Sequence, residues 1–281
     1  MTDGVLNPKP VSQALGAEIE GVDIGRALTE PDDSAFWRAV HKAYFEHKAL
    51  FFRDQDLTPD ELVAFASRFG PIGIYPFAKP IPENPQVIAV VKEPHQTTNF
   101  GGMWHTDSPY LPKPSAATVL YAVEVPKTGG DTYWADMELA LEALPGDIRG
   151  KVEGRTAVHS AANNKSVLRA APLSEGAMEG RNESAMDVLE AVHPLVRTHP
   201  VTGAKSLYLS PAHTTRIEGV DGAESEALLG ALFNHATDDR FTCRFHWRVG
   251  TLAIWDNRCT IHHPLNDYNG SRRAMHRVTI L

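Results

Sequence analysis

A chain of 281 residues with 42% apolar and 22% charged residues is long enough to bury a proper core. Its formal charge of −8, from 27 basic against 35 acidic residues, disfavours a nucleic-acid or anionic-membrane surface, so any anion binding must come from a few placed side chains. Two cysteines, Cys243 and Cys259, give neither a disulfide framework nor a C-x-x-C pattern. With no basic-then-apolar N-terminus and no apolar run of membrane-spanning length, the sequence predicts a soluble cytoplasmic protein with no membrane partner.

Val11 to Ile24 mixes alternation with glycines and predicts a short strand pair. From Pro31 to Tyr44, the residues Phe36, Val40 and Tyr44 recur at helical spacing behind Asp32 and Asp33, and Ala49 to Phe52 reads as a short buried strand. Thr58-Pro59-Asp60-Glu61 opens a second helix with an N-cap, a proline at the first helical position and a capping-box glutamate; Gly70-Pro71 ends it. The proline-rich stretch from Ile72 to Asn99 predicts loops around one strand, Val87 to Val91. Ala117 to Val125 is a strand, Gly129-Gly130 a turn, Asp131 to Trp134 a further strand, and Met137 to Leu144 a helix. Residues 160–187 are polar and weakly patterned and read as a mobile lid. Glu224 to Ala236 has helical spacing, after which Phe241 to Val249, Thr251 to Trp255 and Arg273 to Leu281 return to strands. No repeat or linker divides the chain. The expectation is a single α+β domain over residues 1–281 with an antiparallel sandwich or barrel as its core.

Chemistry concentrates in Trp104-His105-Thr106-Asp107 and in the run from Trp255 to His262. In an extended segment residues two apart face the same side, so His105 and Asp107 can reach one ion while Thr106 points away. His262 must arrive from elsewhere, and His263 would face the opposite side. Two imidazoles and a carboxylate can occupy one face of an octahedral ferrous ion, leaving three positions for a bidentate keto acid and dioxygen. The required neutral imidazoles and ionised carboxylate are accessible near pH 7. The same three ligands suit a zinc hydrolase, and a jelly-roll binding protein without catalysis is the non-enzyme alternative. Arg273 and Arg277, four apart, share one face of a strand. A guanidinium grips a carboxylate or sulfonate through two parallel hydrogen bonds. One arginine could hold the far carboxylate of a dicarboxylic cosubstrate, with the Thr132 hydroxyl, and the other the anionic end of a substrate. Arg272 would point outward; Trp104 and Trp255 read as packing residues, and Asp256-Asn257 as a turn supporting the strand of His262.

With Gly129-Gly130-Asp131-Thr132 added to these motifs, the chain closely resembles the taurine dioxygenase family of iron(II)- and 2-oxoglutarate-dependent oxygenases. The likeness is near full length and includes Leu15 to Asp23, Arg68-Phe69-Gly70, His193 to Pro200, Thr214 to Ile217 and Arg272 to Leu281. It implies a double-stranded β-helix (jelly-roll) core flanked by helices, and a homo-oligomer. It implies Fe(II) on His105, Asp107 and His262, the distal carboxylate of 2-oxoglutarate on Thr132 and Arg273, O2 as cosubstrate, and the substrate's anionic group on Arg277. The chain departs from the taurine-specific member at Tyr75 (a histidine there), at Gly101 (an asparagine), and at Ala161 and His213 (two aromatic pocket positions). Tyr75 and His213 are therefore candidate substrate residues, and the implied substrate is a small organic anion other than taurine. A sulfonate, sulfate ester, aryloxyalkanoate or related carboxylate would be hydroxylated with release of succinate and CO2, and a heteroatom on the hydroxylated carbon would then leave.

Overall fold

The computed structural model describes residues 6–75, 78, 80–163 and 189–281. Its elements begin with β1 (Lys9–Pro10), β2 (Ala17–Ile19), α1 (Ile24–Ala27), α2 (Ala35–His47), β3 (Ala49–Phe52) and α3 (Pro59–Ser67). β4 (Ile72–Gly73), β5 (Pro80–Ile81), β6 (Asn84–Lys92), β7 (Ala117–Glu124) and β8 (Thr132–Asp136) follow. Next come α4 (Met137–Glu142), α5 (Gly146–Val152), β9 (Thr156–Ser160), β10 (Glu190–Pro194), β11 (Val196–Thr198), β12 (Lys205–Leu207) and β13 (Thr214–Ile217). The chain closes with α6 (Gly222–Ala236), β14 (Thr242–Phe245), β15 (Leu252–Asp256), β16 (Thr260–Pro264) and β17 (Arg273–Ile280). Of the lid expected over 160–187, Ser160 ends β9 and Ala161–Asn163 form a 3-10 turn; the rest lies outside the described residues. Among the described residues no helix is long and apolar enough to cross a membrane.

Local chemistry accounts for the helix starts. The Thr58 hydroxyl accepts from the Glu61 N–H at 3.3 Å while the Glu61 carboxylate accepts from the Thr58 N–H at 2.8 Å, closing the predicted capping box. α2 begins at Ala35 rather than at Pro31, because Ser34 caps it by accepting from the Trp37 N–H. The first strand also lies earlier than expected, with Lys9 and Pro10 registered against Glu18 and Ala17.

One nine-stranded sheet runs in the order β1-β2-β3-β15-β7-β17-β6-β5, with β4 added beside β17, and a three-stranded sheet runs β14-β8-β16. Period-two alternation divides their side chains between layers. From β3 and β15, Leu50, Phe52, Leu252 and Ile254 face Trp37, Val40, Leu62 and Phe65 of α2 and α3. From the same strands Ala49, Phe51, Ala253 and Trp255 face inward onto Trp134 and Phe245 of the smaller sheet. Phe51 stacks on Phe245 with ring centroids 3.8 Å apart, so the two sheets share one inner core. The outer face of the smaller sheet, Ala135 and Ile261, is covered by Met137 and Leu141 of α4 and by Leu229 and Leu232 of α6. This is a double-stranded β-helix, or jelly roll, mainly β with helices on its flanks. Its interior is where β8, β16 and β17 direct their polar residues.

Candidate active site

His262 lies on β16 opposite Trp134 of β8. His105 comes from the irregular segment before β7 and forms an antiparallel bridge with His262 through two backbone hydrogen bonds, of 2.9 and 2.7 Å. The bridge holds the two imidazole centroids 4.1 Å apart. Asp107, two residues on, turns Oδ1 towards His105 Nε2 at 3.7 Å. One donor atom from each of the three residues lies within 4.8 Å of the others, a spacing that one metal ion can bridge. His105 Nδ1 donates to the Met103 carbonyl at 2.7 Å, which leaves Nε2 as the free lone pair. All three side chains are buried. Burial pushes both histidines below their ordinary value and keeps them neutral. Burial alone would raise Asp107, but Arg277, the two imidazoles and the Thr118 hydroxyl outweigh it, and the carboxyl lies well below the usual range. Two neutral nitrogens and one anionic oxygen therefore face one point. Gly101, at φ +70°, stands against this group: a Cβ there would lie 2.7 Å from His105 Cε1 and 3.1 Å from Nε2.

A gap lined by Arg273 and Thr132 lies beside the triad. Arg273 on β17 is buried, and among the described residues its Nε and Nη2 make no hydrogen bond. These atoms form one edge of the guanidinium, and Arg53 and Arg258 use the same edge elsewhere in this chain to grip Glu18 and Asp256. Burial lowers the Arg273 pKa, with only the neighbouring Tyr268 acting against it. Thr132 completes the gap. Its hydroxyl oxygen accepts from the Trp247 indole at 2.9 Å, so its proton is free to point elsewhere. The preceding turn is tight: at Gly129, φ +78°, a Cβ would meet Asp267 Oδ1 at 2.7 Å, and the Gly130 N–H donates to that oxygen.

The triad, Thr132, Arg273 and Arg277 line one cavity, walled by Val90, Phe100, Leu120, Trp134, Trp255 and Pro264. Arg277 Nη2 lies 3.0 Å from Asp107 Oδ2, and its guanidinium covers the Tyr75 ring at 4.9 Å. Arg277 also lines a second, smaller cavity together with Tyr75, Ile74, Ile88 and Thr279. His213 is 6.5 Å from His105 and 5.1 Å from Tyr110, ring to ring. Ala161 and Tyr110 are buried together, with Tyr75 packed on them. The structure thus brings Tyr75 beside Arg277 and His213 beside His105, although neither lines the larger cavity. Arg272 turns outward to Glu93 and Glu124, and His263 turns away onto Trp104.

Residues 7–279 match the Taurine catabolism dioxygenase TauD, TfdA family. The chain belongs to this family. It is 33% identical to the alpha-ketoglutarate-dependent 2,4-dichlorophenoxyacetate dioxygenase of Cupriavidus pinatubonensis over 97% of this chain and 96% of that protein. It is also 33% identical to the alpha-ketoglutarate-dependent sulfate ester dioxygenase of Pseudomonas putida, over 98% of this chain and 89% of that protein. The crystal structure of a taurine dioxygenase from Burkholderia xenovorans superposes with a TM-score of 0.79 at 34% identity, covering 99% of this chain and 91% of that one. This TauD, TfdA family member is an oxidoreductase of the 2-oxoglutarate-dependent dioxygenase class, and the class takes 2-oxoglutarate and O2.

Sequence reasoning missed two groups around the family site. Thr118 of β7 donates to Asp107 Oδ2 at 2.6 Å and accepts from Asn257 Nδ2 at 2.9 Å. Behind them His199, Asp256 and Cys259 also come within metal-binding spacing of one another. Their hydrogen bonds do not suit an ion. Arg258 occupies both oxygens of Asp256, and His199 Nδ1 accepts from the N–H groups of Val201 and Thr202, which leaves Nε2–H to donate to Asp256 at 3.0 Å. This cluster braces the β11–β12 hairpin against the turn that leads into β16. Nothing in the spacing along the chain signals either group, because the contacts that join them span 11 residues (Thr118 to Asp107), 139 (Asn257 to Thr118) and 57 (His199 to Asp256).

Proposed function

We propose that the protein is an Fe(II)-dependent member of its class that hydroxylates a small organic anion, with 2-oxoglutarate converted to succinate and CO2. The observation that carries the reading is the buried guanidinium edge of Arg273, whose Nε and Nη2 make no hydrogen bond among the described residues and which lines the cavity that holds the triad. A buried cation without partners is costly, and a bound carboxylate repays it with two charge-assisted hydrogen bonds. The donor set suits Fe(II): two neutral imidazoles and one ionised carboxylate, arranged by a backbone bridge on one side of a cavity. His105, Asp107 and His262 would hold the ion, which when bound supplies the electrons that activate dioxygen.

The chain's own residues then have placement roles. Arg273, through Nε and Nη2, and Thr132, through its hydroxyl proton, hold the distal carboxylate of 2-oxoglutarate and so set the reach of its keto-acid end towards the triad. Arg277 holds the substrate's anionic group between the triad and Tyr75. The wall of Trp134, Trp255, Leu120 and Val90 keeps water from the reacting carbon. Tyr75, stacked on Arg277, and His213, beside His105, would shape the substrate's fit. The names of the relatives, which act on an aryloxyacetate and on sulfate esters, support an anion bearing an ether or ester oxygen on the carbon that is oxidised. Hydroxylation of that carbon gives a hemiacetal-like product, which expels the alcohol, phenol or sulfate.

The test is oxygen uptake and succinate formation with Fe(II) and 2-oxoglutarate across a panel of sulfonates, alkyl sulfates and aryloxyalkanoates. At least one aryloxyalkanoate or sulfate ester should stimulate both and release its leaving group in equal amount. Metal-loaded protein that forms no succinate above background with any anion would sink the proposal.

A further inference from the structure

Asp107 is held more firmly than its proposed role as a metal ligand requires on its face. Oδ1 faces His105 Nε2 at 3.7 Å, whereas Oδ2 takes the Thr118 hydroxyl at 2.6 Å and lies 3.0 Å from Arg277 Nη2. The direction of the bond from Thr118 is fixed from far away. An indole N–H can only donate, so the Trp255 Nε1 contact at 2.9 Å decides which end of the Asn257 amide is oxygen. Asn257 Nδ2 must then face Thr118 Oγ1, at 2.9 Å. With its oxygen accepting there, the one proton of Thr118 goes to Asp107 Oδ2. The scaffold around this chain of donors is closed as well. Thr106 Oγ1 donates to the Asn257 carbonyl at 2.8 Å, and Ser115 Oγ donates to the Asp107 carbonyl at 3.1 Å. Thr118 and Asn257 are both fully shielded from solvent, so no water competes for these bonds.

We propose that Thr118 and Asn257 are positioning residues for the metal carboxylate: the one-way chain Trp255 to Asn257 to Thr118 pins Oδ2 of Asp107, so that Oδ1 alone is offered to the ion. The inference rests on the metal-site reading above. Its physical content is a count of coordination positions. A carboxylate free at both oxygens can chelate through both and occupy a position that a keto acid or dioxygen needs, while an oxygen that takes the Thr118 proton and lies against Arg277 is a weaker second ligand. Asn257 therefore does more than support a turn; it determines the direction of the last hydrogen bond.

The experiment compares wild type with Thr118→Val, which removes the hydroxyl at similar volume, Thr118→Ser, which restores it, and Asn257→Asp. An aspartate at 257 still accepts from Trp255 but cannot donate to Thr118, whose hydroxyl would turn to it instead. Mn(II) titration of chelator-stripped protein is read beside the melting temperature of the metal-free form and the visible band of the anaerobic Fe(II)–2-oxoglutarate complex. T118V and N257D should bind Mn(II) about 10- to 100-fold more weakly. T118S should stay within about threefold of wild type, as hydroxyl rescue requires. The visible band should shift in T118V and not in T118S. Wild type that takes up no Mn(II) overturns the metal site and this inference with it. Wild type that binds while T118V, or N257D if T118V does not fold, stays within about twofold of it overturns the positioning role alone.

Discussion

Replacing Arg273 with methionine separates binding from folding in a way few substitutions can. In wild type the guanidinium is buried, its Nε and Nη2 make no hydrogen bond among the described residues, and the Tyr268 and Trp247 rings lie beside it. Two charge-assisted hydrogen bonds to a carboxylate contribute about 1.5–3 kcal/mol each, so losing both costs about 3–6 kcal/mol of binding. At about 1.4 kcal/mol per decade, the Kd for 2-oxoglutarate should rise roughly 10²- to 10⁴-fold. Stability should move the other way or not at all. Methionine fills similar space and removes a cation that has no counter-ion among the described residues, so the cosubstrate-free R273M protein should be at least as resistant to urea as wild type. Calorimetric titration of 2-oxoglutarate into the Mn(II)-loaded protein gives the first quantity and urea melts without metal or cosubstrate give the second. The reasoning is refuted if R273M keeps its affinity within about threefold, or if it loses several kcal/mol of stability while still binding.

Other expectations follow from the same geometry. Arg277→Gln should leave 2-oxoglutarate affinity within about threefold but weaken the best anion from the panel about 30-fold or more, with succinate formed in excess over oxidised substrate; unchanged coupling would count against Arg277 as the anion's anchor. Gly101→Ala places a methyl group against His105 at a positive φ, and Mn(II) binding should fall about tenfold or more, whereas wild-type affinity would show that the loop yields easily. His159 is pushed down to about 3 by burial, with His193, His213 and Arg197 adding to it. Between that value and its ordinary 6.5 the unfolded chain carries a proton that the folded chain does not, so stability rises with pH through this window and is lost as pH falls. His159→Phe should reduce the slope of unfolding free energy against pH by up to about 1.4 kcal/mol per unit between pH 6 and 4, a difference that urea melts at several pH values would detect.

The sequence carried the parts of this fold whose signals are local. The capping box at Thr58 and Glu61 needs four consecutive residues, and the alternation of β3 and β15 divides cleanly between two apolar layers, so both were legible. The H-x-D spacing was legible for the same reason. β9, β10 and β13 were not read as strands, because their inward positions include His159, His193 and Thr214, and a buried polar residue breaks the hydrophobic alternation that marks a strand. Thr118 was invisible as a site residue because it sits in an apolar strand, 11 positions from the carboxylate it holds, with its Asn257 partner 139 positions away. Hydrogen-bond direction is a property of the assembled neighbourhood, not of a spacing.

The backbone bridge between His105 and His262 means that the separation of the two imidazoles is a property of peptide groups and does not depend on any ion to draw them together. Such a bite is ready before it closes on anything. Stripping the protein with a chelator should leave its circular dichroism and melting cooperativity intact, and reloading should follow simple second-order kinetics without a refolding phase. Exchange of one divalent ion for another would then be governed by supply and by the chemistry of the donor set, the hydrogen bonds that hold Asp107 included.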